Sequence, residues 1–243
     1  METKPLKIKI LGIVGTPIKN GNCQYQLEEA LKRAEATGRA VTELVLLEDY
    51  KINYCIGCDK CMRKINKIQA EVGHDVFPVP IEGYNCSIKD GMEELHLKML
   101  DADAILLMAP VYIASIPGQV KTFIDRCRTF VHDFRLLDKV ASAMTIGFFR
   151  NSGQDTALDL MRTSLLAIGL NVVSYGSSSV STREGLGVPI KETRFAVKED
   201  LAGGVMVDIV VKKLVRTALH IKAGKLAMVE SEGGSCTSPG FWE

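Results

Sequence analysis

The chain has 243 residues, 47% of them hydrophobic and 24% charged, enough to build a full core and too apolar for a disordered or fibrous protein. A net charge of +1 gives no support for nucleic acid or a membrane surface as partner. Seven cysteines in a chain this long exclude a small disulfide scaffold, and their clustering points to metal or redox chemistry in a reducing cytoplasm. No secretory signal is visible, because the apolar run at 8–14 is short and reads as part of a strand, and no stretch is long enough to span a bilayer.

The first strand is predicted over 6–14, L-K-I-K-I-L-G-I-V, an apolar run of the kind buried on both faces in a parallel sheet. A loop rich in glycine follows, and then a helix with Leu27, Ala30, Leu31 and Ala34 on one face and Asn22 as candidate N-cap. Further strands are expected at 40–47, 101–110, 142–149 and 171–175, with helices at 90–99, 117–127 and 154–168 between them. Strand and helix alternate, which implies right-handed crossovers and an α/β doubly wound, five-stranded parallel sheet. In the flavodoxin-like order 2-1-3-4-5, ligands bind where the winding reverses, at the carboxyl ends of strands one and three.

After residue 175 the pattern changes. Residues 176–192 are rich in serine and glycine, and a helix is expected from about 204 to 223, closed by Gly224. Its apolar stripe is Val207, Val210, Val211, Leu214, Ala218 and Leu219. The tail from 230 is Gly/Ser-rich and expected to be mobile. The organisation that emerges is a core over 1–175, bearing a cysteine-rich loop at 50–89, and an extension over 176–243 in the same domain.

A strand that feeds a helix through a glycine-rich loop aims backbone N–H groups and the positive helix end at one spot, which suits a phosphate. Neither the G-x-G-x-x-G of dinucleotide folds nor the Lys-Ser/Thr pair of triphosphate loops is present. The loop G-T-P-I-K-N-G-N-C, residues 15–23, instead resembles the G-S-P-R-K-N-G-N-T loop of flavodoxin-like, NADPH-dependent FMN reductases. That resemblance implies FMN, with its phosphate held by Gly15, Thr16, Pro17, Ile18, Asn20, Gly21, Asn22 and Cys23, Cys23 replacing a threonine hydroxyl. The segment A-P-V-Y-I-A-S-I-P-G-Q-V-K-T-F-I-D-R at 109–126 resembles S-P-V-Y-W-G-S-M-S-A-Q-L-K-A-F-I-D-R of the same family. By that likeness Pro110, Val111, Tyr112 and Ile113 lie along the flavin ring. A third loop, G-F-F-R-N-S-G-Q-D-T at 147–156, shares the family's G-Q-E-T-like ending, which adds Gly153 and Gln154. Phe148 and Phe149 depart from the family pattern and crowd a place usually left open.

Residues 54–61, Y-C-I-G-C-D-K-C, set Cys55, Cys58 and Cys61 at the two-residue spacing that opens a bacterial ferredoxin ligand run. A cluster needs a fourth ligand, and Cys86 in Y-N-C-S-I-K-D-G-M is the candidate. This region resembles the iron–sulfur flavoprotein family, whose members pair FMN with a 4Fe–4S cluster on the same fold. In that family the fourth cysteine follows after a few residues, before a similar I-x-D-x-M segment; here residues 62–85 intervene. An insertion is tolerable if its ends stay close. Three accounts of the thiols stay open: a 4Fe–4S cluster, a zinc site, or unliganded cysteines. Cys23, Cys127 and Cys236 read as ordinary cysteines, and the four histidines show no catalytic or metal pattern.

The function this implies is an iron–sulfur flavoprotein moving electrons between a soluble carrier and an acceptor through FMN and a 4Fe–4S cluster. The alternatives are a cluster-free FMN or quinone reductase that uses NAD(P)H as co-substrate, and a zinc-stapled binding module without turnover. The family resemblance further implies a homodimer or higher homo-oligomer. Lys60, Arg63, Lys64 and Lys67 form either a solvated helical face or a rim that attracts an acidic, ferredoxin-like carrier.

Overall fold

The structure, a computed structural model, describes residues 5–74, 76–192 and 194–232. At its centre is β1 (Ile8–Val14), in which every residue but Lys9 is buried. β2 (Ala40–Leu46) pairs with it in parallel from Ile8↔Ala40 to Val14↔Leu46, and β3 (Ala104–Pro110) lies on its other side, from Ile10↔Ala104. β4 (Val140–Gly147) then pairs with β3. The order β2-β1-β3-β4-β5, with β5 at Asn171–Val172 and all strands parallel, is the flavodoxin-like one. Because the chain leaves β1 in one direction for β2 and in the other for β3, the carboxyl ends of β1 and β3 open side by side.

Alternate residues of each strand feed opposite layers. Leu11, Ile13 and Leu107 meet α3 (Met92–Asp101), α4 (Gly118–Arg126) and α6 (Gln154–Ala167) in one core. Ile8, Ile10, Val14 and Met108 meet α1 (Asn22–Glu35) and α7 (Leu201–Glu232) in the other. A short α5 (Phe130–Asp133) follows α4. Among the described residues no helix is long and apolar enough to cross a membrane.

Three elements differ from their sequence expectation. The fifth strand is split: β5 (Asn171–Val172) pairs with the start of β4, and β6 (Ser177–Val180) pairs with its end, both in parallel. At the break, Gly176 has φ 108°, and an added Cβ would stand 2.7 Å from the Ala143 carbonyl oxygen. Residues 177–180 of the serine-rich stretch are therefore sheet, with Ser177 and Ser179 buried, and Ser177 Oγ donates to the Gly203 carbonyl at 3.4 Å. Second, α7 starts at Leu201 and runs through Gly224 instead of stopping there. Gly224 meets nothing that a side chain would clash with and needs no left-handed conformation, so it is a tolerated interior glycine. Third, Asn22 opens α1 without capping it. Gly21 holds the N-cap position, and Asn22 Oδ1 accepts a hydrogen bond from Val197 N at 3.1 Å.

Residues 62–85 of the insertion are not loose chain. They build α2 (Lys60–Val72) and a small core of their own, Ile65, Val79 and Ile81, flanked by Met62 and Ile68. The tail beyond 232 and Cys236 lie outside the described residues.

The uninterrupted α7 gives opposite expectations for two substitutions. Gly224→Ala should raise stability by about 0.5–1 kcal/mol, since alanine loses less conformational entropy inside a helix. Leu214→Ala, at a site 1% exposed, should cost about 2–5 kcal/mol. Urea midpoints measure both, and destabilisation by Gly224→Ala would show that the helix ends where the sequence places its stop.

Candidate flavin site and cysteine loop

The loop from β1 to α1 is shaped by contacts that exclude side chains at its first residue. Gly15 N donates to the Met108 carbonyl at 2.8 Å, and a Cβ on Gly15 would run into the Val120 side chain. Thr16 is buried and its Oγ1 accepts from Ile18 N at 3.2 Å. Asn20 takes a left-handed conformation, φ 53°, and its N–H goes to Gln24 Oε1 at 2.7 Å. The first turn of α1 then begins with no side-chain cap and no acidic residue. Its leading amides have no partner within the helix, and the positive end of the helix dipole stands behind them.

These amides face a cavity of about 280 Å³ at the adjacent ends of β1, β3 and β4. Of the first-loop residues expected there, Thr16, Ile18, Gly21, Asn22 and Cys23 line it; Gly15, Pro17 and Asn20 shape the loop behind. Cys23 is 6% exposed, and burial pushes its thiol up to about 12. It stays protonated and serves the apolar layer under α7. Pro110, Val111 and Tyr112 form the second wall. Ile146, Gly147, Phe148 and Ser181 complete the lining; none of these was expected as a contact. Gly147 and Phe148 carried a signal in the third loop, whereas Ser181 follows the β6 strand that the pattern did not show.

The second loop is strained in a definite way. Val111 N donates to the Ile146 carbonyl at 2.9 Å, and Tyr112 and Ser115 exchange both backbone hydrogen bonds at 2.8 and 3.0 Å. Ile113 and Ala114, between them, have φ of 47° and 55°, the pattern of a type I′ turn that ordinarily takes Asn-Gly. For a β-branched residue this is an outlier worth roughly 1–3 kcal/mol. Gly153, at φ 104°, is pressed so closely on Ala114 that a Cβ there would overlap its backbone. Ile113, expected along the ring, is not among the residues that line the cavity and is 98% exposed.

Gln154 braces the third loop: its Nε2 donates to the Phe149 carbonyl and its Oε1 accepts from Ser152 N. Gly153 and Gln154 line a neighbouring polar hollow of about 320 Å³ with Arg150 and Asp155 instead of the first cavity. Phe148 and Phe149 pack edge to face at 5.0 Å, half exposed, and with Ile18 and Tyr112 make an apolar rim. A cavity with backbone donors at one end and flat apolar walls at the other suits a planar aromatic ring carrying a phosphate.

The cysteines lie beside α4. Gly57 and Asp59, both left-handed at φ 63° and 54°, turn the chain back on itself between Cys55 and Cys61. Ser87 Oγ lies 3.4 Å from Cys58 Sγ, and Asn85 Nδ2 donates to the Cys61 carbonyl at 3.3 Å. The residues on each side of Cys86 thus touch Cys58 and Cys61 in spite of the insertion. Cys55, Cys58, Cys61 and Cys86 are all free and partly exposed. Burial pushes the Cys61 thiol up, and the nearby Cys86 and Cys58 add to this. Among the described residues, no three His, Cys, Asp or Glu side chains are grouped as a metal site. His96 is wholly buried between Tyr84 and Phe130, its Nε2 on the Arg126 carbonyl at 3.0 Å, and burial pushes it down to about 3. It is a neutral core residue.

Residues 8–185 match the family described as NADPH-dependent FMN reductase. An iron–sulfur flavoprotein of Methanocaldococcus jannaschii is 32% identical over 185 residues, 73% of this chain and 86% of its own. Another, from Archaeoglobus fulgidus, is 32% identical over 197 residues, 80% of this chain and 89% of its own. The chain belongs to the iron–sulfur flavoproteins of the NADPH-dependent FMN reductase family. It is a flavin-dependent oxidoreductase, and its flavin is FMN. Among solved structures, RosB with a bound 8-demethyl-8-formylriboflavin-5'-phosphate shares the fold at a TM-score of 0.67 and 14% identity, over 94% of this chain and 88% of that one.

Of the residues around this flavoprotein's cavity, Gly153 is the one whose substitution should separate binding from folding. Gly153→Ala forces a side chain against Ala114 and should displace the 112–115 turn. If the displaced turn loses about 1.4 kcal/mol of contact with the flavin, FMN binds about tenfold more weakly. Flavin fluorescence titration against the unchanged protein reads this, and equal affinities would mean that the turn does not touch the flavin.

Proposed function

We propose that this protein passes electrons between a soluble carrier and an acceptor through FMN and a 4Fe–4S cluster held by Cys55, Cys58, Cys61 and Cys86. The observation that carries the reading is the approach of the Cys86 segment, through Asn85 and Ser87, to Cys58 and Cys61. Four thiols from two short segments are the donor set iron–sulfur clusters use, whereas zinc loops more often use paired C-x-x-C units. The fit has a second sign: Asn85 Oδ1 and Arg126 Nε, on residues that border these segments, are buried without a hydrogen-bond partner. A cluster there would supply single electrons, and FMN, which takes one or two, would couple them to two-electron chemistry.

The chain's own part is to bind, orient and shield. Gly21, Asn22 and the amides that follow take the phosphate, while Pro110, Val111 and Tyr112 flank the ring. Among the described residues that line the cavity, none carries a carboxylate, imidazole, ammonium or guanidinium group, which favours electron transfer over protein acid–base catalysis. Lys60, Arg63, Lys64 and Lys67 stand exposed on α2, next to the cysteines, with Arg63 Nη2 on the Cys58 carbonyl at 2.9 Å. This rim suits an acidic, ferredoxin-like carrier. A homodimer or higher homo-oligomer and a cytoplasmic setting complete the proposal. A second reading, a cluster-free FMN or quinone reductase using NAD(P)H, is favoured by the half-exposed Tyr112 and Phe148 at the cavity mouth, flat surfaces on which a nicotinamide can stack.

Anaerobically purified protein should carry one FMN and about four irons per chain. Cys86→Ser should lose the iron and keep the flavin. Yellow, iron-free protein reduced directly by NAD(P)H would select the second reading. Replacing Lys60, Lys64 and Lys67 with glutamate should slow electron exchange with an acidic ferredoxin, most strongly at low salt, and stopped-flow rates at two ionic strengths test this.

A further inference from the structure

Two charged residues that the family motifs contain, and that the flavin and thiols do not account for, meet inside the protein. Arg126 ends the F-I-D-R of the flavin-facing segment, and Asp90 sits in the I-K-D-G-M that follows Cys86. Their side chains are 0% and 5% exposed and pair at 2.7 Å. Arg126 uses both terminal nitrogens of its guanidinium, while its Nε has no partner. Nη1 donates to the Asn53 carbonyl and to Asp90 Oδ2, both at 2.7 Å; Nη2 donates to Asp90 Oδ1 at 3.0 Å and to the Ile88 carbonyl at 3.2 Å. It also reaches the Tyr84 hydroxyl. Asp90 in turn accepts from Asn53 N at 2.9 Å and from Met92 N at 3.1 Å.

The partners are not scattered. Asn53 stands two residues before Cys55, Tyr84 two before Cys86 and Ile88 two after it. One buried side chain thus ties the stem of the first three cysteines to both sides of the fourth, and anchors them to α4. A second buried pair, Arg135–Asp133 at 2.9 Å, holds the inner end of the insertion through the Ile81 and Gly83 carbonyls. From Asp133 a chain of hydrogen bonds runs through Thr129 and Asn85 to the Cys61 carbonyl.

We propose that the Arg126–Asp90 pair is a positioning clamp that closes the cysteine loop across its insertion and sets the electrostatic potential at the four thiols. The proposal rests on the cluster reading for its second half and on geometry alone for its first. The insertion is folded on a small core of its own, and even a long loop adds closure entropy only slowly with length, so a single well-bonded closure can fix its ends. Only a planar, bidentate cation joins two carbonyls and a carboxylate in this way; lysine has the charge and lacks the fork. Arginine and aspartate next to the same thiols also act with opposite sign on any charge those thiols hold.

The test uses Arg126→Lys, Arg126→Met and Asp90→Asn in the holoprotein. Iron release to a chelator should accelerate about 10–100-fold in each, as for other residues that orient metal ligands, with FMN content unchanged. In an anaerobic redox titration, Arg126→Met should lower the cluster midpoint and Asp90→Asn should raise it, the flavin midpoint serving as internal reference. Shifts of the same sign, or iron held as firmly as before, would overturn the clamp. In metal-free protein, Arg126→Lys should speed hydrogen exchange at 53–58 and 84–90 together. Unchanged exchange there overturns the closure, whereas unaltered protein that never takes up iron overturns only the cluster reading.

Discussion

The structure depends on a constraint of winding. β1 must pair with both β2 and β3, so the chain crosses the sheet in opposite senses on either side of it, and the two carboxyl ends are left uncovered together. Everything that can meet a flavin is then delivered to one place: the uncapped amides of α1, the wall at Pro110 and Tyr112, and the end of β4. The absence of a side-chain cap on α1 matters here. A serine or aspartate at Gly21 would satisfy the helix and close the anion site, and a carboxylate in the first turn would repel a phosphate.

The same geometry couples the flavin loop to the thiols. Residues 109–126 leave β3 at the cavity, turn tightly at Ile113 and Ala114, and become α4, whose last residue is Arg126. The helix between the turn and Arg126 packs its Val120, Phe123 and Ile124 into the core. Its far end holds the stems of the cysteine segments. One element thus meets both the cavity and the cysteine segments.

How much of this could be read from the chain varied with how local the signal was. The sheet order, four strands and the turn from β1 into α1 were legible because each rests on a contiguous pattern: an apolar run, a glycine-rich turn, a helical face. β6 was not, since Ser177, Ser178 and Ser179 carry no apolar alternation; they are strand because β4 offers free hydrogen-bonding groups and α7 needs small residues beneath it. Gly224 misled for the opposite reason. Glycine marks a helix end only when the backbone turns left-handed there, and the packing of α7 on the sheet carries the helix through. Arg126 and Asp90 lie 36 positions apart, each an ordinary charged residue in its own window. Only the fold brings them into a pair.

At the Ile113 turn local preference and observed conformation conflict outright. Asparagine and glycine would adopt it without strain, and an isoleucine held left-handed costs roughly 1–3 kcal/mol. The surroundings enforce it from three sides: the paired hydrogen bonds of Tyr112 and Ser115, the bond from Val111 to the end of β4, and Gly153 lying flat against Ala114. Because Ile113 itself is almost wholly in solvent, burial gives nothing back for that strain. A buried apolar side chain in an unfavourable conformation would be explained by the core it fills; an exposed one at the rim of a flavin cavity is not.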